Sequence, residues 1–104
     1  MSSSAAITQD RDTWNDAVLA HGGHFLQSWG WGAFKSSFGW DVARVATEHG
    51  VAQVLLRRKA GASVGYIPRG PAHANAEGGA RLWQAIGREA VRRRALFVIV
   101  EANE

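Results

Sequence analysis

Apolar residues recur at helical spacing in three stretches of the chain and gather into strand-like runs in four others. From Asp12 to His21, Trp14, Ala17, Val18 and Leu19 share a helical stripe, Asp12 or Thr13 can cap the start, and Gly22-Gly23 stops it. Ser28 can cap a second helix reaching about Phe38, with Trp31, Phe34 and Phe38 at spacings of three and four and Gly39 as terminator. Two runs rich in branched residues, Trp40–Thr47 and Val51–Arg58, flank Glu48-His49-Gly50 and predict a β-hairpin. A third short strand, Ser63–Ile67, runs into Pro68-Arg69-Gly70-Pro71, where two prolines and a glycine end the ladder; the meander is expected to be antiparallel.

The longest helix is predicted over 77–94, with Leu82, Trp83, Ile86, Ala90 and Val91 on its core face. Leu96–Val100 is an almost wholly apolar run, the pattern of a strand buried on both faces. The order α-α-β-β-β-α-β implies an α/β (α+β) fold in which helices pack on a sheet. Residues 1–10 read as a flexible tail and 11–104 as a single folded unit without internal repeats. A buried strand just before the end leaves one ladder edge without a partner, so the unit is expected to be the N-terminal part of a longer domain.

Composition narrows the chemistry. The 104 residues are 46% hydrophobic and 20% charged, as in a soluble domain, and a chain of this size buries roughly 60–70% of its unfolded surface without staples. There is no cysteine, which removes thiol nucleophiles, disulfides and cysteine zinc sites, and His21, His24, His49 and His73 lack metal-ligand spacing, so no metal is expected. The first ten residues lack a signal-peptide pattern and no stretch suits a membrane span, which together imply a cytoplasmic protein. Charge is uneven: residues 1–52 hold three basic and five acidic groups, residues 53–104 nine and four. An anionic partner near the second half follows.

Three constellations stand out. The segment Phe25–Trp40 packs three of the five tryptophans into a short span; core filling is the favoured account of Trp31 and Phe34, with Trp29 less settled, and Lys35 is either a solvated cation or one well placed to contact an anionic ligand. Tyr66-Ile-Pro-Arg-Gly-Pro71 displays Arg69 from a stiff loop, equally suited to a phosphate fork or to a structural bond. Arg88-Glu-Ala-Val-Arg-Arg-Arg94 places cations at a helix end, where the macrodipole favours them, and Glu89 can pair with Arg92 or Arg93. No phosphate-binding glycine loop, nucleophile elbow or zinc-binding His-Glu-x-x-His is present, and His21 and His24 read as solvated loop residues. Glu101, at the end of the last strand, is the best placed acid, though without an assigned role.

Taken together, Phe25-Leu-Gln-Ser-Trp-x-Trp-Gly-x-Phe-Lys35, Gly39-Trp40, Val54-Leu-Leu-Arg-Arg58, Tyr66–Pro71 and Phe97-Val-Ile-Val-Glu101 resemble the start of FemA/FemB/FemX-type peptidoglycan bridge aminoacyltransferases. The resemblance spans residues 12 to 102. It implies a GNAT-like acyltransferase fold and transfer of an amino acid from aminoacyl-tRNA, the co-substrate, to the stem peptide of a lipid-linked or UDP-linked cell-wall precursor. No cofactor and no catalytic residue of this chain are implied. By the same resemblance Lys35 contacts the precursor's phosphates, while Tyr66, Arg69 and Gly70 border the acceptor groove. A GNAT-like enzyme using acyl-CoA, or a non-catalytic module binding nucleic acid or another anionic polymer through Arg88, Arg92, Arg93 and Arg94, are the alternatives.

Overall fold

In the computed structural model, residues 10–73 and 76–102 are described, so the expected tail lies outside the described residues except for Asp10. Asp10 is the true cap of helix α1 (Arg11–Ala20): its carboxylate accepts from the Thr13 N–H at 2.9 Å and the Thr13 hydroxyl at 2.6 Å. The cap thus lies upstream of Asp12 and Thr13. A 3₁₀ turn, Phe25–Gln27, is capped by His24 Nδ1, which accepts from the Leu26 N–H. Ser28 then caps α2 (Trp29–Ser36), as its position before the aromatic run predicts.

The hairpin forms from β1 (Asp41–Thr47) and β2 (Gly50–Lys59), and β3 (Ala62–Ile67) adds antiparallel to β2. The prolines do not end the ladder outright. A two-residue strand β4 (Ala72–His73) returns to pair with the beginning of β2. Helix α3 (Ala76–Arg92) crosses over and β5 (Ala95–Val100) joins β3 in parallel, giving the path β1-β2-β3-β5 with β4 beside β2. Among the described residues, no helix is long and apolar enough to cross a membrane.

Strand alternation divides the interior between the two faces of the sheet. Ala43, Val45, Ala52, Val54, Leu56 and Ile67 meet Leu82, Ala85 and Ile86 of α3 on one face. On the other, Val51 and Ala72 pack against Trp14 and Val18 of α1. Two expectations fail here. Trp83 is 41% exposed and Val91 79%, because the helix turns only the Leu82–Ala85–Ile86 stripe inward. In β5, Leu96, Phe97, Ile99 and Val100 are exposed and only Ala95 and Val98 pack toward the core, because β5 is the edge of the sheet and not a strand buried on both faces.

One buried side chain opens the sheet. Continuing the β2–β3 register past Leu55↔Tyr66 would set Gln53 opposite Pro68, which has no N–H to donate. The Gln27 amide fills that position: its Oε1 accepts from Gln53 N–H at 2.7 Å, and its Nε2 donates to the Gln53 carbonyl at 3.3 Å and the Pro68 carbonyl at 2.8 Å. Gln27 is fully buried, and its own carbonyl accepts from Trp14 Nε1 at 2.7 Å. A side-chain amide thereby replaces a missing stretch of strand and holds α1, β2 and the 68–71 loop together.

Candidate binding groove

Helices α1 and α2 cover the sheet over β1 and β2 and leave the same face open over β3 and β5. There a groove of about 490 Å³ is lined by Trp40, Arg57, Lys59, Val64, Tyr66 and Ile99. Register explains the grouping: Arg57 stands opposite Val64, Leu55 opposite Tyr66, and Tyr66 opposite Ile99, so these side chains project to one face.

The near end of the groove is cationic and aromatic. Lys35 Nζ lies 5.5 Å from the centroid of the Trp40 ring and 5.7 Å from that of Trp31, and the Arg57 guanidinium lies 4.3 Å from Trp40. Among the described residues neither cation has a carboxylate partner. Gly39, at φ +92, makes the sharp turn from α2 that brings Trp40 beneath Lys35, a conformation glycine adopts without penalty. Aromatic faces fix the long side chains and leave their N–H groups for an anion.

At the far end the Tyr66 hydroxyl donates to Glu101 Oε1 at 3.1 Å. Burial, this hydrogen bond and the Glu101 charge raise the Tyr66 pKa above the ordinary phenol value, while the nearby Arg69 pulls it down. Arg69 itself sits at φ +52, where a non-glycine residue costs about 1 kcal/mol. Gly70 is buried: its N–H donates to the Glu101 carbonyl at 3.0 Å, and a Cβ there would lie 2.7 Å from Gln27 Cδ. Its place is inside the loop, against the Gln27 amide.

Lys35 therefore reaches the groove only through the Trp40 ring, Tyr66 lines it, and Arg69 stands near the Tyr66 phenol outside the lining residues. Trp40 and Arg57 line the groove as well, and although both fall within motifs of the sequence, neither was given a site role; the signal was the strand alternation that sends Arg57 and Arg58 to opposite faces. Arg44 was missed as well. Its guanidinium stacks 3.6 Å from Trp29 and donates to Gln53 Oε1 and the Trp29 carbonyl, and burial lowers its pKa to about 10, so it stays charged at neutral pH. It fastens α2 to the sheet. Core filling by Trp31 and Phe34 is not what forms: Phe34 is more than half exposed and Trp31 half-buried, and with Phe25 and Phe38 they make an outer ladder of tilted and edge-on ring contacts, while Trp29 is the ring that packs against the core. Among the described residues no three His, Asp or Glu side chains gather to hold a metal.

No protein-family model and no curated protein matches the chain. A solved structure does: the crystal structure of FemX is similar over 86% of this chain, with 24% identity and a TM-score of 0.75. The match takes up 25% of the FemX chain, so the present chain spans about a quarter of its length. What this likeness establishes is architecture: the mixed α/β arrangement of a five-stranded sheet and three helices is the fold of that quarter of FemX.

Proposed function

We propose that this chain is the acceptor-binding part of a FemA/FemB/FemX-type aminoacyltransferase. Such an enzyme moves an amino acid from aminoacyl-tRNA to the stem peptide of a peptidoglycan precursor during bridge formation and cell wall biogenesis. The observation that carries the reading is the groove on a FemX-like fold, with Lys35 and Arg57 flanking Trp40 and, among the described residues, no carboxylate paired with either. A precursor carried on UDP or on lipid presents a pyrophosphate, and two fixed cations suit it. Tyr66 lines the same groove, Arg69 stands near its phenol, and Gly70 keeps their loop packed on Gln27.

In the reaction the stem-peptide amine attacks the ester carbonyl of aminoacyl-tRNA. A C–N bond forms, the ester C–O bond breaks, and the tRNA hydroxyl leaves with the proton the amine gives up. The acceptor supplies the nucleophile, so no serine or cysteine is required, and the remaining demand is stabilisation of the oxyanion. This chain's share is to hold and orient the acceptor in the cytoplasm. Transfer catalysed by the 104 residues alone would show that the share is larger.

The test is binding of UDP-linked and lipid-linked muropeptides, each against its dephosphorylated counterpart. Lys35→Ala and Arg69→Ala are expected to weaken the phosphorylated ligands by roughly tenfold each. Equal affinity for dephosphorylated muropeptide, or no effect of Lys35→Ala, would remove the assignment.

A further inference from the structure

At the opposite face of the sheet from Lys35, a second concentration of cations surrounds a recess. The β2–β3 turn and the end of α3 meet there, and Arg58, Arg92, Arg93, Arg94, Gly61 and Ala62 line a cavity of about 280 Å³. Four guanidiniums share little negative charge. Glu89 receives both Arg92 and Arg93 at 2.8 Å, and Arg58 approaches Asp41 at 3.8 Å, with both side chains largely exposed. Arg94 has no ion pair among the described residues.

Helix capping accounts for Arg92, in the last turn of α3, but Arg93 and Arg94 lie beyond the helix. Their own carbonyls are already satisfied, Arg93's by Ser63 Oγ and Arg94's by Ser63 N–H. Moreover, Arg94 occupies φ +58, a position just past a helix that glycine or asparagine would hold at lower cost. Strain, surplus charge and a concave shape coincide at one place.

We propose that Arg58, Arg92, Arg93 and Arg94 form a second anion site that takes a group with two adjacent phosphate charges. It is separate from the groove and does not depend on the function proposed for it. Its ligand comes from solution, as a pyrophosphate or nucleoside diphosphate, or from an anionic lipid headgroup. The guanidiniums meet its oxygens in forked, charge-assisted hydrogen bonds.

The experiment is a titration of the full chain with inorganic pyrophosphate, read residue by residue in amide and indole NMR spectra. Gly61 and Arg94 report the recess and the Trp40 indole reports the groove. Saturable shifts at Gly61 and Arg94 are expected, unchanged in Lys35→Ala. Arg94→Gly relieves the positive φ, so it folds, and it should weaken the recess binding by roughly tenfold; Glu89→Gln, which frees Arg92 and Arg93, should strengthen it. Absence of shifts at Gly61 and Arg94, full affinity in Arg94→Gly, or loss of those shifts in Lys35→Ala would each overturn the site. Vesicles containing diacylglycerol pyrophosphate, compared with phosphatidylcholine alone, separate the sources: retention competed by pyrophosphate marks a headgroup, and no retention marks a soluble phosphate. Binding of duplex RNA at the recess that pyrophosphate does not displace would refute a compact diphosphate site in favour of a diffuse polyanion surface.

Discussion

Tyr66 is the only tyrosine in the chain, so its ionisation can be followed without interference. The phenol is raised by burial, by its hydrogen bond to Glu101 and by the Glu101 charge, against the pull of Arg69. Its tyrosinate absorbance should therefore appear above the ordinary midpoint of about pH 10. Glu101→Gln should move the midpoint down and Arg69→Ala should move it further up. A midpoint that ignores both substitutions would mean that the two side chains do not face Tyr66 in solution. The sign for stability follows from linkage. In the unfolded chain the phenol loses its proton first, so its contribution is intact below about pH 10 and is lost as pH rises through the higher folded value.

Strand β5 shows where sequence patterning reaches its limit. Its composition, Leu-Phe-Val-Ile-Val, was legible as a strand, and so was its unpartnered ladder edge; burial on both faces was not, because burial depends on neighbours that periodicity does not encode. The caps at Ser28 and the hairpin around Gly50 were legible because they rest on local chemistry. By contrast, the Gln27 bridge joins residues 26 and 41 positions apart, and nothing in the local sequence marks a glutamine that substitutes for backbone. The groove was half legible in the same way: Lys35 and the 66–70 loop carried an expected role, whereas Trp40 and Arg57, though inside motifs of the sequence, join the groove only through the fold that sets them beside it. An apolar edge of this kind is a template for pairing with another chain. Phe97, 54% exposed, is a fitting place for a gatekeeper charge. Phe97→Lys should reduce concentration-dependent light scattering while changing unfolding free energy by no more than about 0.5 kcal/mol. Undiminished scattering, or a loss of several kcal/mol on urea unfolding, would contradict the exposed-edge assignment.

At the scale of the whole molecule, β2 decides whether the protein behaves as one unit. It sends Ala52, Val54 and Leu56 into the α3 layer and Val51 into the α1 layer, while Gln53 is tied to Gln27 through its backbone. Neither layer can detach without uncovering the opposite face of the strand that the other layer needs. Tryptophan placement makes this testable. Trp14, Trp29, Trp31 and Trp40 lie with α1, α2 and the start of β1, and only Trp83 belongs to α3. Fluorescence therefore weights one layer, while far-UV circular dichroism follows helices and strands throughout. Leu82 is fully buried in the α3 layer, so Leu82→Ala should cost about 2–5 kcal/mol through lost contacts and a cavity. If β2 couples the layers, the fluorescence and dichroism transitions in urea shift together and remain coincident in the variant. A fluorescence midpoint that stays at the wild-type value while dichroism moves would show that the layers unfold separately, and that β2 holds each of them without joining them.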